Sequence, residues 1–522
     1  MKLVTVSEMI AIEREANDFG LTYENMMANA GRGLAEVVAE MYGYLADEGV
    51  LGLVGSGNNG GDTLVALTYL AEEGWPASAY TVRPRPADDE LMIRLAQAGG
   101  AIYTLESDED FQDLERLLKG NAILLDGVLG TGIRLPLQGK VPEVLNFVTD
   151  TISQLNISPI VVAVDCPSGI ESDSGEAAPE TLPADLTITI TAIKQGLLKF
   201  PAFNLIGELQ VIGIGLPEAG EGLESWRRVQ CLVPDAIHIQ NTLPYRSMEA
   251  HKGTFGTALI IAGSTNYTGA ALLAGEAAYR IGAGLVTLAV PKPLHAALAG
   301  QLPECTWILL PHQDGSISAD AGKVIEQYLD QATAISIGPG FGLKPATEQF
   351  LTLLLEQTAN LPPLVADADG LKLLARIPDW PNKLPPLTIL TPHPGEMSIM
   401  TELSTEEIQS NRIAIARQYS SLWGHIVVLK GAFTVIAAPE GQTAVIPVAS
   451  PALARAGTGD VLTGLIVGLR AQGVDPFNAA VSGAWIHAQA GLIAADLYGN
   501  TASVLARDIL NAVIDVLSEV LN

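Results

Sequence analysis

The chain has 522 residues, more than one ordinary hydrophobic core holds, and a formal net charge of −29, which repels nucleic acid and anionic lipid at long range. Hydrophobic residues make up 48% of the chain but aromatic residues only 5%, a composition typical of α/β layers. The cysteines, Cys166, Cys231 and Cys305, form no C-x-x-C pair, which argues against a zinc ribbon or a redox dithiol and predicts reduced, buried thiols.

The first residues of the chain are those of an amphipathic helix rather than of a signal peptide. Glu8 and Glu13 fall in the region that a signal peptide keeps apolar, and Thr5 with Glu8 has the spacing of a capping box. No apolar run approaches the roughly 18 residues that a membrane span requires. We therefore expect a cytoplasmic protein with no membrane partner and no nucleic-acid partner, and the sequence leaves homo-oligomerisation open.

Short apolar runs alternate with longer helical patterns along the whole chain, which predicts βαβ units and parallel sheets. The expected strands of the first half are residues 50–54, 79–82, 123–125, 160–164 and 186–191. Those of the second half are residues 257–262, 285–290, 334–337, 364–366, 387–390 and 426–429, followed by helical stretches at 461–471 and 479–497. A polar, turn-rich seam between them predicts a domain of residues 1–216, a linker of 217–228 and a domain of 229–522.

The first chemical motif is the glycine-rich run 55–62, which follows a predicted strand and opens a helical pattern. It matches G-x-G-x-x-G, but the acidic residue usual about twenty residues later in dinucleotide-binding units is absent, and Arg83 and Arg85 stand there instead. Glycines let a ligand approach the backbone, and a helix N-terminus attracts anions. We therefore interpret the run as a ligand-binding loop rather than a plain dehydrogenase fingerprint.

Polar residues also follow the next strands, where the carboxyl ends of a parallel sheet meet at one crevice. Asp126 and Asp165 each come directly after an apolar run, and Ser168 follows closely. Asn58, Asp126 and Ser168 supply the oxygen ligands that a hard cation prefers. A second glycine loop, residues 130–134, ends in Arg134, a cation suited to phosphate.

These segments together resemble the NAD(P)H-hydrate epimerase domain over residues 5–215. The resemblance implies a Rossmann-like three-layer sandwich that interconverts the R and S epimers of hydrated NAD(P)H at C6, with Asp165 in acid–base catalysis and Lys194 assisting. It implies potassium bound by Asn58, Asp126 and Ser168. It also implies that substrate contacts Asp165 and two loops: Asn58, Asn59, Gly60, Gly61 and Asp62, and Gly130, Thr131, Gly132, Ile133 and Arg134.

The second half carries Gly457-Thr458-Gly459-Asp460 directly before a helical pattern. Such glycines expose backbone N–H groups at a helix N-terminus, where they stabilise a phosphoryl group in transfer. Asp460 is placed to take a proton from a substrate hydroxyl, and we expect the helix start to keep its carboxylate ionised. No G-x-x-x-x-G-K-[ST] occurs in the chain, which excludes a P-loop protein.

Four further loops, residues 338–340, 367–370, 391–396 and 429–434, each follow a predicted strand. With residues 251–256 and the G-x-G-D motif, they resemble the ADP/ATP-dependent NAD(P)H-hydrate dehydratases, of ribokinase-like α/β fold, over residues 225–520. The resemblance implies that the hydrated cofactor contacts Ala258, Gly340, His393 and Asp460. It implies that the adenine nucleotide contacts Lys430, Gly431, Ala432, Phe433, Thr434 and Gly459.

Both resemblances imply one repair activity on hydrated NADH and NADPH. The first domain epimerises R- and S-NAD(P)HX; the second dehydrates the S epimer to NAD(P)H with release of AMP and phosphate from ADP, with magnesium accompanying the nucleotide. A ribokinase-like small-molecule kinase with a non-catalytic N-terminal binding domain is the alternative, and a non-catalytic scaffold is a second. The sequence leaves the preference for ADP or ATP and for NADHX or NADPHX open.

Overall fold

The computed structural model describes residues 1–216, 222–356 and 361–521, which form two compact units, Met1–Gln230 and Cys231–Asn522. Of the expected linker, residues 217–221 lie outside the described part. The remainder belongs to the first unit, where Glu224–Arg228 is a short helix.

The described residues of the first unit form nine strands and seven α-helices. Its strands are β1 (Leu3–Val4), β2 (Val50–Val54), β3 (Ala77–Thr81), β4 (Ala101–Thr104), β5 (Ile123–Gly127), β6 (Ile160–Val164), β7 (Leu186–Ile190), β8 (Ile193–Lys194) and β9 (Glu208–Ile212). Its helices are α1 (Val6–Asp18), α2 (Tyr23–Tyr42), α3 (Asn58–Glu72), α4 (Glu90–Gln97), α5 (Gln112–Gly120), α6 (Val141–Ser153) and α7 (Glu224–Arg228). The capping box expected at Thr5 and Glu8 is present at the start of α1.

Seven parallel strands form the main sheet of this unit in the order β4-β3-β2-β5-β6-β7-β9. The central strands are buried on both faces, which is why they appear in the sequence as continuous apolar runs. The chain leaves β2 toward β3 and β4 and later returns to the other side of β2 with β5. This reversal opens a crevice at the carboxyl ends of β2 and β5, the place where open α/β sheets bind ligands.

In the second unit, the part of the chain that the structure describes forms twelve strands and twelve α-helices. The strands are β10 (Cys231–Leu232), β11 (Thr257–Ile261), β12 (Leu285–Pro291), β13 (Thr306–Leu310), β14 (His312–Gln313), β15 (Ser316–Ile317), β16 (Ala334–Ile337), β17 (Leu364–Ala366), β18 (Ile389–Leu390), β19 (Ile426–Leu429), β20 (Val435–Ala437) and β21 (Thr443–Val445). The helices are α8 (Ala236–Thr242), α9 (Thr268–Arg280), α10 (Lys292–Leu298), α11 (Ala321–Glu326), α12 (Pro345–Leu355), α13 (Asp369–Leu374), α14 (Pro394–Thr401), α15 (Thr405–Ser410), α16 (Arg412–Trp423), α17 (Thr458–Ala471), α18 (Pro476–Tyr498) and α19 (Ala506–Leu521).

Ten strands form its sheet in the order β10-β21-β20-β19-β18-β17-β16-β11-β12-β13. Strands β11, β12, β13 and β16 to β19 are mutually parallel, and β20 is antiparallel to both of its neighbours. Helix α17 packs against α9 at Gly464, where a Cβ atom would lie 2.3 Å from the carbonyl oxygen of Ala274. This close packing fixes the helix that carries the G-x-G-D motif at its N-terminus.

Among the described residues, no helix has both the length and the apolar character needed to cross a membrane. All three cysteines are buried and unbridged, as expected. Burial, followed by the Asp165 charge, raises the pKa of the Cys166 thiol to about 12. This thiol is therefore protonated at neutral pH and a poor nucleophile.

Candidate active sites

A cavity of about 970 Å³ lies at the carboxyl edge of the first sheet. Helices α1 and α2 form one wall, and the loops after β2 and β5 form the other. The cavity falls within the usual size range for small-molecule sites. The residues expected at the substrate site that line it are Asn58, Asn59, Asp62, Gly130, Thr131, Gly132, Ile133, Arg134, Asp165 and Lys194.

The glycine run forms the first turn of α3 and passes close to the end of β2. A Cβ atom on Gly60 would lie 2.1 Å from the carbonyl oxygen of Gly55, so no larger residue fits without moving the loop. A Cβ atom on Gly57 would instead meet open space. The backbone therefore requires glycine at position 60 but not at position 57.

The requirement for glycine at position 60 gives a prediction. We expect Gly60→Ala to lower epimerase activity about 100-fold, because a displacement of about 1 Å in a positioning loop has effects of that size. Gly120→Ala, at the exposed end of α5 and outside the cavity wall, is the matched control and should stay within about twofold of the wild type, because its Cβ atom meets no neighbour. The measurement is the rate of R-to-S conversion followed by chiral separation of the epimers. Equal losses in the two variants would contradict this account of the loop.

The residues expected to bind a cation are only partly brought together. Asp126 is fully buried; it accepts hydrogen bonds from the Ser168 backbone N–H (2.8 Å) and hydroxyl (2.6 Å). Asn59, not Asn58, reaches this place: its amide nitrogen donates to the carbonyl oxygens of Leu129 (2.9 Å) and Val164 (2.8 Å), whereas the Asn58 side chain is exposed. Of the two asparagines, Asn59 is therefore the one buried beside the loops that carry Asp126 and Ser168, because the turn that begins α3 directs the second asparagine inward.

Asp165 and Lys194 form a buried ion pair beside the cavity. Asp165 has a φ of 64°, a strained conformation for a residue other than glycine and one that recurs at functional sites. Its Oδ1 atom accepts hydrogen bonds from Lys194 Nζ, Thr189 Oγ1 (3.1 Å) and the Ile190 N–H (2.9 Å). Nζ also donates to Thr189 Oγ1 (3.2 Å) and the Ile190 carbonyl (2.8 Å), so its three donors are all used. Oδ2 of Asp165 accepts no hydrogen bond within the described residues.

Two further carboxyl groups, Glu13 and Asp62, line the same cavity. Burial first, and then the negative charges of Asp165 and Glu13, hold the pKa of Asp62 well above its usual range. Burial also raises the pKa of Glu13, against the opposing charge of Lys194. Glu13 has no counterpart among the predicted site residues. A weak signal for it exists in the sequence, because Met9 and Glu13 stand four residues apart and so share a face of α1.

In the second unit, α17 begins at Thr458 with Gly457 as its N-cap at a φ of 92°. Asp460 lies in the first turn, as expected. Burial first, and then the charge of Asp367, raise the pKa of Asp460 to about 7, although Lys430 acts in the opposite direction. With a pKa of about 7, Asp460 is only partly ionised at neutral pH. The expectation that the helix start keeps this carboxylate ionised is therefore wrong there, because burial and the Asp367 charge outweigh the Lys430 charge.

Asp367, directly after β17, connects the loops around Asp460. Its Oδ1 atom accepts from Lys430 Nζ (2.5 Å) and Thr391 Oγ1 (2.7 Å), and its Oδ2 atom accepts from Thr463 Oγ1 (2.7 Å). Burial lowers the pKa of Lys430, but the charges of Asp367 and Glu396 outweigh it and the net shift is upward. A Cβ atom on Gly459 would lie 3.6 Å from Lys430 Nζ, so this cation borders the G-x-G-D turn.

His393 caps α14 and remains accessible. Its Nδ1 atom accepts from the N–H groups of Gly395 (3.0 Å) and Glu396 (3.2 Å), while the ring is half exposed. Burial raises the pKa of Glu396, yet the hydrogen bonds and charge of His393 together with the Lys430 charge bring it down to about 2. His393 is thus a cap, as its position after a strand permits. Its Nε2 atom lies 3.2 Å from Glu396 Oε1, so both ring nitrogens have partners, and the half-exposed ring remains accessible to a ligand.

The remaining predicted residues divide into accessible and buried ones. Gly431 and Ala432 are exposed, whereas Phe433 is buried and anchors their loop. Gly340, with a φ of 67°, accepts a hydrogen bond from Ser264 Oγ (2.8 Å) in the loop after β11. Ala258 is the exception: it is fully buried inside β11, so its side chain is not accessible to a ligand in this structure. The loop after β11, rather than the strand itself, reaches this edge of the sheet.

Comparison with known proteins identifies the family of both units. A family model for NAD(P)H-hydrate dehydratase matches residues 258–514, and one for the YjeF-related protein N-terminus matches residues 23–196. The bifunctional NAD(P)H-hydrate repair enzyme Nnr of Moorella thermoacetica is 35% identical over 98% of this chain and 96% of its own length. The chain belongs to the bifunctional NAD(P)H-hydrate repair enzyme family.

A second curated relative agrees with this membership. The repair enzyme Nnr of Salinibacter ruber is 35% identical over 99% of this chain and 96% of its own. A crystal structure of the ADP/ATP-dependent NAD(P)H-hydrate dehydratase from Bacillus subtilis, co-crystallised with ATP and Mg²⁺, is 33% identical and covers 55% of this chain and 99% of that chain, with a TM-score of 0.46. Membership in the repair-enzyme family and the parallel sheets of both units confirm the expected α/β fold class.

Proposed function

We propose that this chain restores hydrated NADH and NADPH through two reactions, one in each unit. The observation that carries the proposal is the presence, in one chain of the repair-enzyme family, of two sheet-edge sites that each hold a carboxylate suited to proton transfer. Such cofactors belong to the cytoplasm, and the reduced, buried cysteines suit that compartment.

In the first unit, Asp165 acts as the base through Oδ2. Lys194 orients this carboxylate, because its three donors are held by Asp165, Thr189 and Ile190. Epimerisation requires a bond to C6 to open and close again on the other face of the ring. Asp165 takes the proton of the C6 hydroxyl as the C6–N1 bond breaks to leave a carbonyl, and the electron pair and a proton pass to N1. Reclosure on the opposite face reverses these transfers.

Asp62 is the acid that supplies the proton to N1. Burial and the negative charges of Asp165 and Glu13 raise the pKa of Asp62, which favours its protonated form, whereas Asp165 forms an ion pair with Lys194. Two carboxyl groups in such different environments within one cavity are the usual signature of an acid and a base. The 58–62 and 130–134 loops line the rest of the cavity and hold the dinucleotide.

Potassium fits the place where Asn59, Asp126 and Ser168 meet. Asp126 is a fully buried carboxylate, and no basic side chain pairs with it in the part of the chain that the structure describes. A buried carboxylate of this kind calls for a cation, and carboxylate, amide and hydroxyl oxygens suit a hard one. A bound potassium ion would supply positive charge that fixes the loops carrying these three residues.

In the second unit, Asp460 deprotonates the C6 hydroxyl of S-NAD(P)HX while an adenine nucleotide donates a phosphoryl group. The Gly457–Gly459 turn presents backbone N–H groups to the charge that develops. Elimination of the phosphate ester then yields the dihydronicotinamide with free phosphate. Lys430 and its exposed neighbours Gly431 and Ala432 hold the nucleotide, and the accessible edges of Gly340 and His393 contact the substrate.

Magnesium fits this site as a companion of the nucleotide. Within the described residues there is no group of three acidic, imidazole or thiol ligands, so the chain offers no cage of its own. Mg²⁺ usually binds substrate phosphates with one or two carboxylates and retains water. The ion would neutralise phosphate charge during transfer.

The dehydratase rate should depend on pH through Asp460. The ionised carboxylate is the active base, so with a pKa of about 7 the value of kcat/KM for S-NADHX rises as pH increases to 7 and levels off above it. The measurement is kcat/KM between about pH 5.5 and 8.5, with the nucleotide saturating. A flat profile down to the acid end would show that Asp460 is not the base.

The test of the proposed function is product analysis on a pure S epimer. Incubation with ADP or ATP and Mg²⁺ should yield NADH and free inorganic phosphate in equal amounts. A stable phosphorylated product without NADH would instead identify a small-molecule kinase.

A further inference from the structure

Arg83 stands at the rim of the cavity in the first unit and has no part in the mechanism above. It comes two residues after the end of β3, its side chain is exposed, and it is among the residues that line the cavity. Within the described residues it makes no hydrogen bond, ion pair or ring contact. Arg134, in the loop after β5, is the other exposed arginine of the cavity wall, so Arg83 is the one that lies on the β3 side.

The neighbouring Arg85 shows what a structural arginine looks like in the same loop. Its Nη1 atom donates to the Gly55 carbonyl (2.7 Å), and its Nε atom donates to Asp89 Oδ2 (2.7 Å). The side chains of Arg85 and Asp89 are each only 10% exposed. Arg85 therefore stabilises the loop after β3, whereas the guanidinium group of Arg83 is available to bind a ligand.

The sheet order places Arg83 far from the reacting carboxylate. Arg83 follows β3 and Asp165 follows β6, with β2 and β5 between them. Neighbouring strands lie about 4.8 Å apart, so three such spacings place the carboxyl ends of β3 and β6 about 14 Å apart along the sheet edge. A dinucleotide with its hydrated ring at Asp165 and its pyrophosphate at the N-terminus of α3 extends past β2 toward β3. Its adenosine end then lies at Arg83.

In dinucleotide-binding α/β sheets, the residue at the end of the strand that corresponds to β3 binds the adenosine ribose. An acid there binds the 2′-hydroxyl of an NAD-type dinucleotide, and an arginine accommodates the 2′-phosphate of an NADP-type one. Here the acid is absent and Arg83 occupies the end of the strand. A guanidinium group binds a phosphate monoester through paired, charge-assisted hydrogen bonds.

We propose that Arg83 binds the 2′-phosphate of NADPHX, so that the epimerase site prefers NADPHX to NADHX. The inference rests on the proposed function and adds the determinant of its substrate preference. Arg83 touches neither C6 nor the groups that move its protons. Its effect is therefore confined to the phosphorylated substrate.

The experiment compares Arg83→Gln with Arg94→Gln in the full-length chain. Arg94 is an exposed arginine of α4 that is not part of the cavity wall, and it serves as the matched control. We expect Arg83→Gln to lower kcat/KM for R-NADPHX about 10- to 100-fold, as charge-assisted hydrogen bonds of this kind do, and to leave R-NADHX within about twofold. Arg94→Gln should change neither value.

A binding measurement that does not depend on turnover accompanies the kinetics. Adenosine 2′,5′-bisphosphate should inhibit the wild-type epimerase more strongly than 5′-AMP, and Arg83→Gln should remove this difference. Equal losses on both substrates, or no loss on NADPHX, would overturn the role of Arg83. A wild-type chain that epimerises neither substrate would instead overturn the proposed function.

Discussion

Replacing Asp165 with Asn lowers R-to-S conversion by at least about 100-fold, the lower end of what a general base contributes. The variant loses the Asp165 carboxylate, whose Oδ2 atom accepts no hydrogen bond within the described residues, and an amide cannot take the hydroxyl proton at neutral pH. The reaction is followed from pure R-NADHX by chiral separation, with the uncatalysed rate subtracted. Unchanged conversion would show that another group is the base.

The second unit provides an internal control for this variant. Loss of Asp165 leaves Lys194 buried without its partner, which destabilises the first unit locally. Dehydration of pure S-NADHX by the same preparation should remain within about twofold of the wild type, because Asp460 and its neighbours are untouched. Asp150→Asn, at an exposed position on α6, is the matched substitution and should change neither activity.

Replacing Asp460 with Ala lowers the dehydration of S-NADHX by at least about 100-fold but retains nucleotide binding. The carboxylate lies next to Asp367 and Asp369, whose charges raise its pKa, so its removal also relieves repulsion. The variant should therefore fold at least as well as the wild type. Turnover is measured by NADH formation, and nucleotide affinity is measured by calorimetry with ADP and with ATP.

The control for Asp460 is Asp496→Ala, at an exposed position on α18 away from the G-x-G-D turn. It should keep full turnover and full nucleotide affinity. Near-normal turnover by Asp460→Ala would contradict its assignment as the base. Loss of nucleotide affinity together with turnover would show instead that the carboxylate belongs to the nucleotide site.

The strands and the position of both sites were predictable because parallel strands buried on both faces appear as continuous apolar runs. The run 50–54 coincides with β2, and glycine loops and carboxylates follow such runs at one sheet edge. The choice between Asn58 and Asn59 was not predictable. Adjacent residues at a helix start differ by about 100° in direction, and only the turn geometry decides which one points inward.

Other differences between the predictions and the structure arise from contacts between residues that are far apart in the sequence. Glu13 reaches the cavity because α1 lies beside loops more than a hundred residues away, and its spacing relative to Met9 does not reveal this neighbour. Ala258 is buried because β11 lies between β12 and β16 in the sheet. The raised pKa of Asp460 depends on Asp367, which comes from a different strand. The sequence contains these residues but does not reveal how close they lie to one another in the folded protein.

The most direct test of the account is the recovery of absorbance at 340 nm from an equilibrated mixture of R- and S-NADHX with ADP or ATP and Mg²⁺. The account predicts full conversion to NADH at a rate above that of uncatalysed epimerisation, because both units are active. Asp165→Asn should stop at the S fraction, and Asp460→Ala should give almost none. If NADH forms neither with ADP nor with ATP, the repair function is contradicted. If the wild-type reaction halts at the S fraction, the epimerase activity of the first unit is contradicted.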